Sequence, residues 1–276
     1  MLLAPNRQQV LKLVEWKDLT HMSKRDGLRE CAIILPWLSA SWLLLALGNW
    51  LLAIPATFMF FLTALRLNHE AIHHNLGFRA SGHHNVMHAL SALMLLSNHS
   101  VAFNHLRHHR HVGSDQDLEG KCGRMKGWQV LLYGPMFPYE THRAALSEGG
   151  PKVRSLVRRD LALNLLLPLL ALLPGLQFLW LFIALMVLAQ CLTAFFAVWI
   201  THHGCEHDDL MVARSQRSKL VNLLSYNMFF HLEHHLYPAV PVSRLPRLAE
   251  RLDRAIPQIR ARLLPVVGFA RPAIAD

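Results

Sequence analysis

Three short stretches of the chain crowd imidazoles together: His69-Glu70-Ala71-Ile72-His73-His74, His105-Leu106-Arg107-His108-His109 and His231-Leu232-Glu233-His234-His235. A fourth element, Thr201-His202-His203-Gly204, carries two more. On an α-helix, residues i, i+3 and i+4 share one face. The second and third stretches therefore each present three imidazoles together, and His69 and His73 present two. His74 lies about 140° around the helix from His69 at 3.6 residues per turn, so it joins the set only if the helix ends there. One helical turn can thus aim several nitrogen ligands at one point. Imidazole-only sites suit Zn, Cu, Fe or Ni, and a single tetrahedral zinc uses only four ligands. Nine or ten such histidines imply two metals. The other histidines (His21, His83, His84, His88, His99, His111, His142, His203 and His207) read as hydrogen-bonded interfacial residues.

The elements that must position these groups are apolar. Of 276 residues, 53% are hydrophobic and 17% charged, too apolar for a disordered chain and too charge-poor for an ordinary soluble domain. Residues 31–65 and 161–201 contain no Asp, Glu, Lys, Arg or His. Each run has turn residues near its middle, Gly48-Asn49 and Pro174-Gly175. This predicts two transmembrane hairpins, 31–47 with 50–67 and 160–173 with 176–200. A 17-residue arm would reach about 26 Å. A third stretch, 86–103, is interrupted by His88, Asn98 and His99 and reads as a re-entrant or interfacial helix.

Every histidine stretch falls at the same end of an apolar segment, with an even number of crossings between them, so all of them meet on one side. Lysines and arginines concentrate in 1–30, 104–160 and 206–276 and are absent from both hairpin turns. The positive-inside rule then puts both termini and the histidines in the cytoplasm. The net charge of +10 reads as topology and contact with anionic headgroups. No nucleic-acid partner is expected, because no recognisable binding module accompanies the basic residues. The four cysteines, Cys31, Cys122, Cys191 and Cys205, form no CxxC pair and argue against a disulfide scaffold or zinc ribbon. The polar N-terminal stretch does not read as a signal peptide. The fold expected is all-α and integral to the membrane, with about four transmembrane helices and a cytoplasmic helical cap carrying the histidines. Its parts are a cytoplasmic segment (1–30), a membrane domain (31–250) and an amphipathic tail (251–276). Leu248, Leu252, Ile256, Ile259 and Leu263 recur at helical spacing and suggest a surface helix touching lipid.

The boxes HEAIHH at 69–74, HLRHH at 105–109 and HLEHH at 231–235, with the continuation HHLYPAVPVSRLPRL from His234, resemble the integral-membrane fatty acid desaturases. That family lies within the wider superfamily of membrane di-iron desaturases and hydroxylases. The resemblance implies two non-haem irons held by His69, His73 (or His74), His105, His108, His109, His231, His234 and His235. His202 matches a further ligand position beside a glycine, and Asn227 a water-mediated one. Carboxylates that could orient the imidazoles are Glu70, Asp115, Asp117, Glu206, Asp208 and Asp209.

The activity implied is oxygen-dependent desaturation of a fatty acyl chain, with O2 as co-substrate. The alternative is a hydroxylase or ketolase acting on an acyl, alkyl or carotenoid substrate. A remote alternative is a histidine-rich metal transporter or sensor, disfavoured because both charge-free runs lack midplane ligands. No cytochrome b5-like HPGG motif is present, so the resemblance implies a separate ferredoxin- or cytochrome-type electron donor with its reductase. The bacterial inner membrane is the location implied.

Overall fold

The computed structural model describes residues 7–205 and 210–267. Among these the secondary structure is entirely helical. The N-terminal part holds α1 (Arg7–Leu13), α2 (Lys24–Ala32), α3 (Leu35–Ala46), α4 (Trp50–Ile72), α5 (Ala80–Met94) and α6 (Asn98–His111). The middle holds α7 (Leu118–Gly123), α8 (Gly127–Tyr133), α9 (Met136–Glu148), α10 (Pro151–Leu163) and α11 (Leu166–Leu170). Then come α12 (Leu179–Cys191), a π-helical turn (Ala194–Trp199), α13 (Ile200–His202), α14 (Lys219–Leu224), α15 (His231–Leu236), α16 (Leu245–Ala255) and α17 (Pro257–Arg262).

Three helical stretches are long and apolar enough to cross a membrane: Lys24–Ala46, Trp50–Ile72 and Leu179–His202. A fourth crossing exists if α5 and α6, bent by 115°, are one broken span. The turn between α3 and α4 needs a left-handed residue, and Gly48 supplies it at φ +73°. Much of the apolar surface faces outward. Leu43, Leu47, Trp50, Leu51, Leu169, Leu172 and Leu188 are all exposed, a surface that calls for lipid rather than water.

The structure departs from the sequence reading in three places. The stretch 160–173 is not one arm. Its helix stops at Leu163 and restarts as the short α11. Pro168 accounts for this, since a proline ring clashes with the carbonyl four residues earlier, that of Asn164. The stretch 86–103 is likewise two helices. Leu95 closes α5 in the left-handed conformation, and the Ser97 side chain accepts the Ser100 N–H to start α6. Third, the C-terminal apolar face does not meet lipid. Leu248, Leu252, Ile256 and Ile259 are buried against Leu232, Leu236 and Val10, so α16 and α17 form a platform under the third histidine stretch. The helix is amphipathic as expected, but its apolar side covers α15.

α2 is held close to the chain leaving α4. A Cβ added at Gly27 would stand 1.9 Å from the Leu76 carbonyl oxygen. Gly27→Ala is therefore expected to destabilise the protein by about 1–3 kcal/mol, measured as a lower unfolding midpoint in detergent.

Candidate metal centre

α4 ends where its histidines are needed: His69 lies in the last turn and His73 caps it. α6 contributes His105, His108 and His109 from its C-terminal half, and α15 contributes His231, His234 and His235. His202 closes the last long apolar helix, just after the π-helical turn.

These nine imidazoles sort into two lobes. In the first, the Nε2 of His69 stands 2.9 Å from that of His234, which lies 2.8 Å from that of His109. His105 Nε2 is 3.1 Å from both His73 and His109. In the second, His108 Nε2 lies 3.2 Å from His202 and 3.4 Å from His235. His231 Nε2 is 2.9 Å from His202 and 3.2 Å from His235. α6 and α15 each supply nitrogens to both lobes.

The far sides of the rings fix what those nitrogens carry. His108 Nδ1–H donates to Asp117 Oδ2 at 2.8 Å, His202 Nδ1–H to the Val212 carbonyl at 3.0 Å, and His105 Nδ1–H to Glu119 Oε2 at 3.2 Å. In the neutral form that a metal binds, an imidazole has one N–H, so with Nδ1–H on these acceptors the Nε2 atoms of the three rings offer lone pairs. The 3.2 Å contact between His108 and His202 is then lone pair against lone pair. In that form no hydrogen bond fills the gap, and a cation can. Burial, reinforced by the neighbouring imidazoles, holds His231, His234 and His235 far below the ordinary imidazole range. They are thus in the neutral form that a metal requires.

Burial also sets how the metal-free protein responds to acid. The unfolded chain takes up protons on these imidazoles below about pH 6.5, whereas the folded cluster resists doing so. Stability from these groups is therefore complete above that value and is lost as pH falls. The chelator-treated protein is expected to show a falling unfolding midpoint between about pH 7 and about pH 5, with the metal-loaded form less affected.

Of the two alternatives at the end of the first box, the structure brings His73 to the cluster. His74, at φ +59°, turns away and lies against the His83 ring at 4.6 Å. Glu70 is fully buried. Its Oε2 accepts the Val242 N–H at 3.1 Å, and its Oε1 lies 3.8 Å from His69 Nδ1. Asp117 sits behind His108, where burial opposes its charge but His108 and the backbone N–H groups of Gly120 and Gly113 together outweigh it and lower its pKa. Asp115 is exposed. Asn227 is half-buried in a left-handed turn, its backbone N–H on the Asn222 carbonyl. Glu206, Asp208 and Asp209, like His207, lie outside the described residues.

Two partners escaped the sequence reading. Glu119 sits two residues beyond Asp117 in DQDLEG, and that acidic spacing was a usable signal. The Val212 carbonyl carries no side-chain signal. A cavity of about 690 Å³ borders the second lobe at His108 and His202, with Met125 and Trp199 on its wall.

The family model for fatty acid desaturases matches residues 40–266 of this chain, the whole stretch that carries the nine rings. The chain belongs to the fatty acid desaturase family. This desaturase-family chain is also 30% identical over 247 residues to a beta-carotene ketolase of Paracoccus sp. (strain N81106 / MBIC 01143), covering 81% of this chain and 91% of the ketolase. It is 29% identical over 161 residues to a beta-carotene ketolase of Paracoccus sp. (strain PC1), covering 55% and 58% of the two chains. Family and relatives together make it an oxidoreductase of the membrane di-iron type.

Proposed function

We propose that the protein is a membrane di-iron oxygenase that converts a ring methylene of a carotenoid-type hydrocarbon to a carbonyl. The observation that carries the metal part is the meeting of bare Nε2 atoms across gaps of about 3 Å, with Asp117, Glu119 and the Val212 carbonyl holding the protons on the opposite ring edges. His69, His73, His105, His109 and His234 would hold one iron, and His108, His202, His231 and His235 the other. The all-nitrogen donor set fits iron.

An unactivated methylene has no acidic proton and no leaving group, so side chains alone cannot attack it. Bound iron would supply the one-electron chemistry with O2 that such a bond needs. The chain's own groups do the rest. Asp117 and Glu119 keep His108 and His105 in the tautomer that leaves Nε2 free. Trp199 and Met125 offer an apolar wall beside the second lobe, where a hydrocarbon can be held against the metals. Electrons would come from a separate ferredoxin- or cytochrome-type protein, docking on the cytoplasmic end where the basic residues concentrate.

The ring substrate is favoured by the ketolase relatives, one of which this chain matches over 91% of its length. Desaturation of a fatty acyl chain is the second reading, favoured by the family's description. Expression in a bacterial host that accumulates β-carotene and carries a compatible reductase separates them. Mass spectrometry of the pigments is expected to show a carbonyl in place of a methylene. New double bonds in the lipids with unchanged carotenoid would replace the ring reading by the acyl one.

A further inference from the structure

A second polar cluster lies away from the nine rings, at the break between α5 and α6. Asp160 of α10 is fully buried there and receives four donors. His88 Nδ1–H donates to Oδ1 at 2.5 Å. Oδ2 accepts the His99 ring Nδ1–H at 2.8 Å, the Ser97 hydroxyl at 2.7 Å and the His99 backbone N–H at 3.1 Å. One carboxylate thus ties α5, through His88, to the first turn of α6, through Ser97 and His99.

The rest of the break is saturated in the same way. The Ser97 N–H donates to His142 Nε2 at 2.9 Å, and the His142 Nδ1–H is spent on the Pro138 carbonyl at 2.7 Å. The Asn98 N–H reaches the Ser91 hydroxyl at 3.0 Å, and the Ser100 N–H the Ser97 hydroxyl at 3.1 Å. Each N–H that a helix start leaves without an intrahelical partner is met by a side chain. The negative charge of Asp160 also stands at the N-terminus of α6, where the helix dipole favours it.

The direction of α6 is therefore set by this break, in which α5 and α6 differ by 115°. That direction matters because α6 supplies His105 and His109 to one lobe and His108 to the other. A small tilt at its start displaces three nitrogens at its far end. We propose that Asp160 is a positioning residue for the metal centre: it clamps the α5–α6 break and so holds the three α6 imidazoles on both metals at once. The proposal rests on the metal reading above but not on the identity of the substrate.

Two imidazoles and a carboxylate can also bind a metal themselves. The partners argue otherwise. Asp160 Oδ2 is already occupied by the Ser97 hydroxyl and the His99 backbone N–H, and a carboxylate facing a ring Nδ1 accepts its proton. The contacts to His88 and His99 at 2.5 and 2.8 Å are therefore hydrogen bonds, whereas the nine-ring centre sets imidazole against imidazole.

The test uses full-length wild type, Asp160→Asn and His88→Gln, purified in detergent, with metal analysis and the ligand-field spectrum of the cobalt-loaded protein. Wild type is expected to bind two ions per chain, and its failure to bind any would strike the metal reading itself. Asp160→Asn is expected to lower affinity at both sites about 10–100-fold and to shift the cobalt spectrum at full loading. His88→Gln removes one donor and leaves the carboxylate ionised, so it should show a smaller shift in the same direction. It also serves if Asp160→Asn does not fold. Two tightly bound ions and a wild-type spectrum in either folded variant would overturn the clamp, even with a lowered unfolding midpoint. So would a third ion per chain that disappears with Asp160.

Discussion

Replacing His234 by alanine is expected to reduce turnover to background while leaving the protein in the membrane. His234 Nε2 lies within 3 Å of both His69 and His109, and His69 comes from a different span, so its loss opens the first lobe at a shared point. His108→Ala is expected to do the same to the second lobe, where His108 meets His202 and His235. Neither ring belongs to the three long apolar stretches, so insertion does not depend on them. The informative control is His74→Ala. His74 stands in the same box but lies on His83, so that variant should retain turnover. Product formation and metal content in membranes carrying equal amounts of each variant check all three. Full activity in His108→Ala or His234→Ala would remove the ring from the ligand set.

Arg217→Ala should be among the most destabilising single substitutions outside the histidines. Glu233 lies between His231 and His234 on α15, with no exposure at all. Its carboxylate is met by Arg217 Nη2 at 2.6 Å and by the Ser215 hydroxyl at 2.5 Å. The same guanidinium reaches both oxygens of Asp253 on α16. Removing the arginine leaves a buried, largely uncompensated anion, a change that costs about 3–5 kcal/mol in comparable pairs. It also frees the helix that supplies three of the nine nitrogens, so metal content should fall with stability. Adding Glu233→Gln to an Arg217→Met background should recover much of the loss, because the buried charge is gone and Asp253 keeps Arg260 at 3.1 Å. Unfolding midpoints of the single and double variants decide it.

Much of the centre was legible in the sequence because helical spacing is a local property. The i, i+3, i+4 pattern alone puts His105, His108 and His109 on one face, and the charge-free runs put all boxes at one end. What spacing leaves open is which lobe each ring serves. His108 and His109 are adjacent in sequence yet face different lobes, a partition made by α4, α13 and α15 closing around α6. The Val212 carbonyl behind His202 and the four donors on Asp160 were equally hidden, since backbone groups and long-range polar pairs leave no periodic trace. The lipid-facing reading of residues 243–263 failed for a related reason. Amphipathic spacing reveals that a helix has an apolar side, not whether lipid or another helix will cover it.

The π-helical turn over Ala194–Trp199 has a consequence for how this segment tolerates length change. A wide turn accommodates one residue more than the regular α-helical path. Deleting a single residue there would let the turn relax to an ordinary helix while everything beyond it keeps nearly its present direction, whereas the same deletion in the regular turns of α12 would rotate all that follows by about 100°. Hydropathy would register no difference between the two deletions, yet only the one in α12 would swing His202 out of its lobe. The register of this one turn, rather than the greasiness of the segment, sets the limit on insertions and deletions that the last long helix can absorb.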